Sequence, residues 1–250
     1  MTVLRIVARA ALAAALLGDP STAAAAPPAA TSRRQRVRAV RPAAPPLGKV
    51  LARTFRAYGG VDAILGVSAI RSVGAVSEGE AQGWRVERVL ALPDRYRSAF
   101  SLGGVEHETV ILAGLRAFRN GAEVTGLVRA DQIRLEALRA FLPGALAKNR
   151  AALVDRGEVG EGAARVRRVE LPMRNDALLV VDIEARTGRI VRTVVAVGGR
   201  ETLVTYRRFR MVSGVLFPFA EDVEGADGRR TLALEHIELV PAASVKIELP

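Results

Sequence analysis

The chain contains no cysteine among its 250 residues. This absence excludes a disulfide framework, a thiolate metal site and a lipid anchor on an N-terminal cysteine. Without such an anchor, we expect the mature product to be soluble.

Aromatic residues and lysines are also scarce. Aromatics make up 4% of the chain and the only lysines are Lys49, Lys148 and Lys246, so arginine carries most of the positive charge behind a net charge of +11. A strongly basic chain is a candidate for nucleic-acid binding, but it offers few rings on which single-stranded bases could stack. Because an Ala-, Arg-, Gly- and Val-rich composition can also follow from codon bias, we expect no nucleic-acid partner.

Catalytic and metal-binding motifs are missing from the sequence. The two histidines, His107 and His236, fall on different predicted strands, without the cluster of ligands that a metal requires. There is no G-x-S-x-G motif, and the glycines at 157, 160 and 162 do not open a helix as a nucleotide-binding loop does. The sequence therefore predicts a protein that is not an enzyme and that uses no cofactor and no metal.

A long hydrophobic run is absent as well. The apolar stretch at 10–17 is much shorter than the roughly 20 residues of a membrane span. Two arginines precede it and the small residues at 23–26 follow it, which is the pattern of a secretory signal peptide. We predict that residues 1–26 direct export to the periplasm and are cleaved off near Ala25 or Ala26.

Residues 27–46 form a different kind of segment. They contain five prolines and five arginines and too few apolar side chains to build a core. We predict a disordered basic arm. Its charge could attract it to an anionic membrane surface, or the arm could be a solvated linker.

From residue 47 onward the patterns indicate helices and then strands. Apolar residues at helical spacing predict a first helix from Leu47 to Tyr58, ended by Gly59 and Gly60, with a further turn at 61–65. A two-residue period then predicts strands, which end in a β-meander that turns at Ser213-Gly214 and Asp227-Gly228. The predicted strands are 70–77, 84–92, 95–102, 108–119, 153–159, 164–171, 178–184, 189–197 and 201–211, one through Phe217 and Phe219, and one that ends at Leu239.

One stretch interrupts the strands. Residues 130–149 return to helical spacing, with Asp131 as a possible N-cap and Pro143-Gly144 as a break. The fold class is therefore mainly β (α+β), with a single antiparallel sheet of some eleven strands. A sheet of that width must curl, and helices inserted in it tend to cover its concave side, so the central helix is a candidate lid.

Several of these segments resemble the periplasmic lipoprotein-carrier superfamily of LolA-like and LolB-like proteins. The resemblance covers residue 47 to the end and implies that 47–250 is a single domain, an unclosed half-barrel with a helical lid. It also implies an apolar cavity that accepts the acyl chains of a lipid or lipoprotein. The segments that carry it are YGGVDAILGVSAIRSVGAV, RVLALPDRYRSAF, VVDIEARTGRIVRTVV, YRRFRMVSGVLFPFAEDV and SVKIELP.

Alternation along the strands places large apolar side chains on one face, and the central helix adds three more. We predict that this set lines the cavity. The same pattern fits an ordinary filled core, because alternation does not distinguish a hollow interior from a packed one. The predicted lining residues are Trp84, Val86, Leu90, Leu92, Val110, Leu112, Phe118, Leu138, Phe141, Leu142, Phe217 and Phe219.

A lid needs something to hold it closed. In the carriers that this chain resembles, an arginine just before the proline of the second-strand turn latches the lid, but here Leu92 precedes Pro93. Arg88, on the apolar face of the same strand, is our candidate latch, because a guanidinium has five donors for lid carbonyls. Alternatively, its charged head extends to solvent or pairs with a group outside.

Two functions fit these patterns. A soluble carrier that moves a lipid or lipoprotein across the cell envelope predicts a continuous apolar cavity. A non-enzymatic envelope sensor or protein-binding module on the same fold predicts a filled interior and a protein partner. In either case we expect a monomer.

Overall fold

The structure is a computed structural model that describes residues 46–79, 81–160, 165–226 and 228–250. The predicted signal peptide at 1–26 lies outside the described residues, as does the predicted basic arm except for Pro46. Within the described ranges, no helix is long and apolar enough to cross a membrane.

Four α-helices and thirteen β-strands make up the described chain. The helices are α1 Leu47–Ala57, α2 Val61–Gly66, α3 Leu127–Arg139 and α4 Leu142–Lys148. The strands are β1 Ala69–Glu78, β2 Ala81–Ala91, β3 Arg95–Leu102, β4 Val105–Ala113, β5 Arg116–Arg119, β6 Ala122–Glu123, β7 Val154–Val159, β8 Val166–Pro172, β9 Leu178–Glu184, β10 Ile190–Val197, β11 Arg200–Val212, β12 Val215–Gly225 and β13 Gly228–Val240.

The strands form one antiparallel sheet with the order β6-β5-β4-β3-β2-β1-β13-β12-β11-β10-β9-β8-β7. The first and last strands pair with each other in the middle, from Ala69 opposite Val240 to Ser77 opposite Thr231. The sheet does not close on itself, which confirms the predicted mainly β, unclosed half-barrel. It has thirteen strands where the sequence predicted about eleven.

This strand order fixes the path of the central helices. β6 and β7 follow each other in the chain but lie at opposite edges of the sheet, so the segment between them must cross from one edge to the other. That segment is α3 and α4, which we call the cap (127–148). α3 contacts β4 and β5 in one half of the sheet and β10 in the other, so the cap spans the concave face.

One predicted strand, 108–119, is divided in the structure. A turn at Gly114 and Leu115 separates β4 from β5, which folds back so that Phe118 pairs with Ile111 and Ala117 with Leu112. Because directly paired residues share a face, Phe118 lies on the face opposite to Leu112. The prediction that Phe118 shares a face with Val110 and Leu112 is therefore wrong, since a fold-back shifts the alternation that an unbroken strand would have kept. Its role in ligand binding stays a prediction.

The central helix also differs from the prediction. It begins at Leu127, so Asp131 lies inside α3 and is not its N-cap. There the carboxylate of Asp131 accepts hydrogen bonds from Arg134 at 2.7 Å and from Asn175 at 2.7 Å. The helix breaks at 140–141, and Pro143 lies in the first turn of α4, where its fixed φ is compatible with a helix.

The main hydrophobic core lies between the concave face of the sheet and the helices. α1 contributes Val50, Leu51 and Phe55 to it, and the cap contributes Leu135 and Leu146, each fully buried. A separate small cluster of Ala69, Val89, Ala91 and Val245 is packed at the other side of the central strands, with the C-terminal Ile247 against it.

Gly59, between α1 and α2, fixes the position of α1 on the sheet. Its φ is +103° and a Cβ there would lie 1.9 Å from the carbonyl oxygen of Gly214, in the β11–β12 turn. Gly60 has a similar φ of +99° but nothing within 4 Å of a built Cβ.

We therefore expect Gly59→Ala to destabilise the protein more than Gly60→Ala. The left-handed backbone costs each variant about 1–3 kcal/mol. Only Gly59→Ala adds the steric conflict with Gly214, worth about 1–3 kcal/mol more. Denaturant unfolding of both variants measures the difference, and equal losses of stability would contradict the close packing of α1 on this turn.

Candidate functional site

A small cavity lies between the cap and the concave face of the sheet. Its volume is about 40 Å³. One water molecule needs about 10–15 Å³ of such space, so the cavity holds roughly three waters and no acyl chain. The described conformation is therefore closed.

The cap itself fills the concave side. Phe141 and Leu142, at the α3–α4 junction, reach the cavity beside Leu90 of β2. The ring of Phe141 stacks on Phe217 of β12, with centroids 5.8 Å apart. Apolar side chains of the cap thus pack against the concave face of the sheet.

Four of the twelve predicted lining residues contact this cavity: Leu90, Phe141, Leu142 and Phe217. The remainder, apart from Phe118, belong to the same core but lie away from the cavity; they are Trp84, Val86, Leu92, Val110, Leu112, Leu138 and Phe219. Their role in ligand binding stays a prediction.

A buried ionic cluster forms the polar wall of the cavity. Nη1 of Arg88 donates to Oε1 of Glu221 at 2.8 Å, and Nη1 of Arg139 donates to Oε2 of Glu221 at 2.8 Å. The three side chains are only 6–8% exposed. They come from β2, β12 and the last residue of α3, so the cluster joins the cap to both halves of the sheet.

The electrostatics keep all three side chains charged. Burial alone would raise the pKa of Glu221, but Arg88 and Arg139 outweigh it and lower that pKa to about 2. Burial likewise opposes the charge on each arginine, yet Glu221 raises the pKa of both. The carboxylate thus remains ionised throughout the neutral and mildly acidic range.

Arg88 reaches the cap indirectly. Its hydrogen bond goes to Glu221, which in turn binds Arg139 of the cap, whereas the sequence suggested lid carbonyls as acceptors. Its role as a latch stays a prediction. Further polar contacts of the cap join Arg134 to the carbonyl oxygen of Leu115 at 2.6 Å and Asp131 to Asn175.

Sequence reasoning missed Arg139 and Glu221. A signal for Glu221 was present, because it continues the alternation of Phe217 and Phe219 and so had to face inward. Arg139 gave no comparable signal, since a helix that ends in arginine is common and the helix dipole alone accounts for it. Arg139 and Glu221 are also 82 positions apart in sequence, so no local pattern could indicate that they pair.

Metal binding receives no support from the described ranges, in which no group of three or more His, Asp or Glu side chains is placed to hold an ion. The chemistry that the arrangement offers is apolar contact together with buried guanidinium donors.

The unclosed antiparallel sheet, with the cap across its concave face, is similar in fold to solved structures of known proteins. A LolA superfamily protein from Nitrosomonas europaea matches 80% of this chain and 97% of its own, with 12% identity and a TM-score of 0.51. A candidate outer membrane lipoprotein-sorting protein domain from Vibrio parahaemolyticus matches 80% of this chain and 93% of its own, with 9% identity and a TM-score of 0.47. The predicted LolA-like fold is thereby confirmed. No protein-family model matches the chain, and no curated protein is significantly similar to it in sequence.

The buried Glu221 makes a specific prediction about acid stability. Its pKa in the folded protein is lowered from 4.5 to about 2, so its contribution to folding is complete above about pH 4.5 and is lost as the pH falls towards 2. We expect Glu221→Gln to be less stable than the parent at pH 7, because two buried guanidinium groups lose their counter-charge. Between pH 4.5 and 2 the gap in unfolding free energy should shrink by about 3 kcal/mol.

Denaturant unfolding of parent and variant at several pH values measures this gap. Glu235→Gln is the matched control, because it makes the same chemical change at an exposed salt bridge, 2.9 Å from Arg85, and should cost less than about 1 kcal/mol. A parent–variant gap that stays constant from pH 7 to 2 would show that Glu221 is not held ionised by the two arginines.

Proposed function

We propose that the protein is a periplasmic carrier that shelters the acyl chains of a lipid or lipoprotein beneath the cap. The observation that carries the proposal is the position of Phe141 and Leu142, which occupy the apolar concave face while the cap is closed. The LolA-like fold supports it, because the LolA superfamily protein from Nitrosomonas europaea matches 80% of this chain.

The energies favour exchange between cap and ligand. Lifting Phe141 and Leu142 out of the core exposes two side chains, at about 1.5–3 kcal/mol each. A long acyl chain that takes their place contributes on the order of 10 kcal/mol, at about 0.8 kcal/mol per buried methylene. Uptake can therefore offset the cost of opening, and the closed cap can still re-form after release.

In this proposal the segments outside the described residues have simple roles. Residues 1–26 direct export and are removed, and the arginines at 27–46 hold the mature, monomeric protein near an anionic membrane surface. The arm would then raise the local concentration of the carrier at the membrane from which it takes lipid.

A second candidate is a non-enzymatic envelope sensor or protein-binding module on the same fold. The small volume of the cavity, about 40 Å³, favours it, because a module without cargo needs no hollow interior. Mass spectrometry of an organic extract of the natively purified protein separates the two. We expect acyl-bearing molecules in the extract, whereas a lipid-free protein that co-purifies with another protein would support the sensor.

Movement of the cap can be tested with an engineered disulfide. A Cβ built on Gly198, in the β10–β11 turn, would lie 3.5 Å from Cβ of Val128 in α3, within the range of Cβ separations in disulfides. The chain has no cysteine of its own, so Val128→Cys with Gly198→Cys creates one defined pair. We expect oxidation to reduce the uptake of a fluorescent fatty acyl probe by about tenfold or more, because the open cap becomes rarely populated.

The same double variant under reducing conditions should bind like the parent, and each single cysteine variant should be insensitive to oxidant. Gly198→Cys alone also reports any cost of the left-handed φ of +57° at that position. Equal probe uptake by the oxidised and reduced double variant would mean that the cap does not need to leave the β10–β11 turn.

A further inference from the structure

The buried cluster of Arg88, Glu221 and Arg139 carries one positive charge in excess. The nearest additional carboxylate, Glu136, lies one turn earlier in α3, is half-buried, and faces the hydroxyl of Tyr96 at 3.4 Å. Glu136 helps to raise the pKa of Arg139, but its hydrogen bond comes from Tyr96 and it is more exposed than the three side chains of the cluster. Buried charges normally occur in balanced pairs, so an unbalanced guanidinium indicates a place for an anion.

Hydrogen-bond donors are in surplus as well. Each guanidinium has five N–H groups, and Glu221 accepts from one nitrogen of each. Nε of Arg88 is buried and has no hydrogen-bond partner among the described residues. Ser98 is the direct cross-strand neighbour of Arg88, so its hydroxyl lies on the same face of the sheet.

The ionic cluster lines the cavity, although Ser98 itself does not. Arg88, Arg139 and Glu221 all line its roughly 40 Å³, together with Ser72, the other cross-strand neighbour of Arg88. The rest of the wall is largely apolar. A cavity of a few water volumes, with guanidinium groups in one part of its wall and apolar side chains in the rest, fits a small anionic group that is joined to a hydrocarbon chain.

We propose that this cluster is a carboxylate site, which binds the head group of a free fatty acid whose chain lies along the concave face under the cap. The inference rests on the proposed function and names the ligand class of the same site. A carboxylate is planar, accepts from guanidinium groups in parallel, and carries the single negative charge that the cluster lacks.

The sole tryptophan of the chain provides the readout. Trp84 lies on the same strand and face as Arg88, two side-chain repeats away, so a chain that starts at Arg88 and follows β2 passes close to it. Titration with a fatty acid that carries bromine in mid-chain should quench Trp84 emission. The matching brominated fatty alcohol has the same hydrocarbon without the carboxylate.

We expect the parent to bind the acid at least about tenfold more tightly than the alcohol, as a charge-assisted hydrogen bond in a buried site predicts. Arg88→Met should remove that preference, so that the acid and the alcohol bind the variant with similar affinity. Arg85→Met is the matched control, because it lies on the opposite face of the same strand, in an exposed salt bridge with Glu235, and should alter neither affinity.

The other outcomes of the titration distinguish the carboxylate site from the acyl carrier as such. If acid and alcohol bind the parent equally, the carboxylate site is wrong and the acyl carrier stands; if neither binds, both are wrong. If acetate displaces the acid at matched concentration, the cluster binds small carboxylates and not a lipid head group. Should Arg88→Met fail to fold, the acid-to-alcohol ratio of the parent and of Arg139→Met gives the same decision.

Discussion

The pairing of β1 with β13 is the constraint on which the rest of the structure depends. It joins the two ends of the folded chain in the middle of the sheet and leaves β6 and β7, which are consecutive, at the two outer edges. A connection between opposite edges of the sheet has to cross one of its faces. Strand order therefore requires a crossing segment, and buried apolar residues of the cap such as Leu135 and Leu146 place that segment on the concave face.

The ionic cluster of Arg88, Glu221 and Arg139 connects the cap to the sheet at one place. Its ion pairs join α3, β2 and β12 in the interior of the protein. Loss of Glu221 alone would lower the free energy of unfolding by about 3–5 kcal/mol, because two guanidinium groups would be left without a counter-charge. The net contribution of such a cluster to stability is small, since an apolar replacement of similar volume often does as well. What the cluster adds is a positive charge and guanidinium donors beside an otherwise largely apolar surface.

The sequence predicted what depends on local patterns. β3 and β9 have the predicted bounds, 95–102 and 178–184, because alternation and turn residues define them without reference to the rest of the chain. The face on which Phe118 lies was predicted wrongly because a turn at Gly114 shifts the alternation. The edge strand β6 was not predicted because two residues are too few to show a period. The cluster was missed for a different reason: Arg88 and Glu221 are 133 positions apart, and only the pairing in the middle of the sheet brings them together.

The same nonlocal geometry explains why the cavity could not be sized from sequence. Inward-facing side chains such as Val86, Val110 and Phe217 look alike whether a cap or a ligand covers them. In the closed structure Phe141 stacks on Phe217, and the remaining cavity has room for a few waters. The concave face is thus filled by the cap, which few polar contacts hold in place. A filled interior is thus compatible with a carrier, because the side chains that fill it belong to the element that would move.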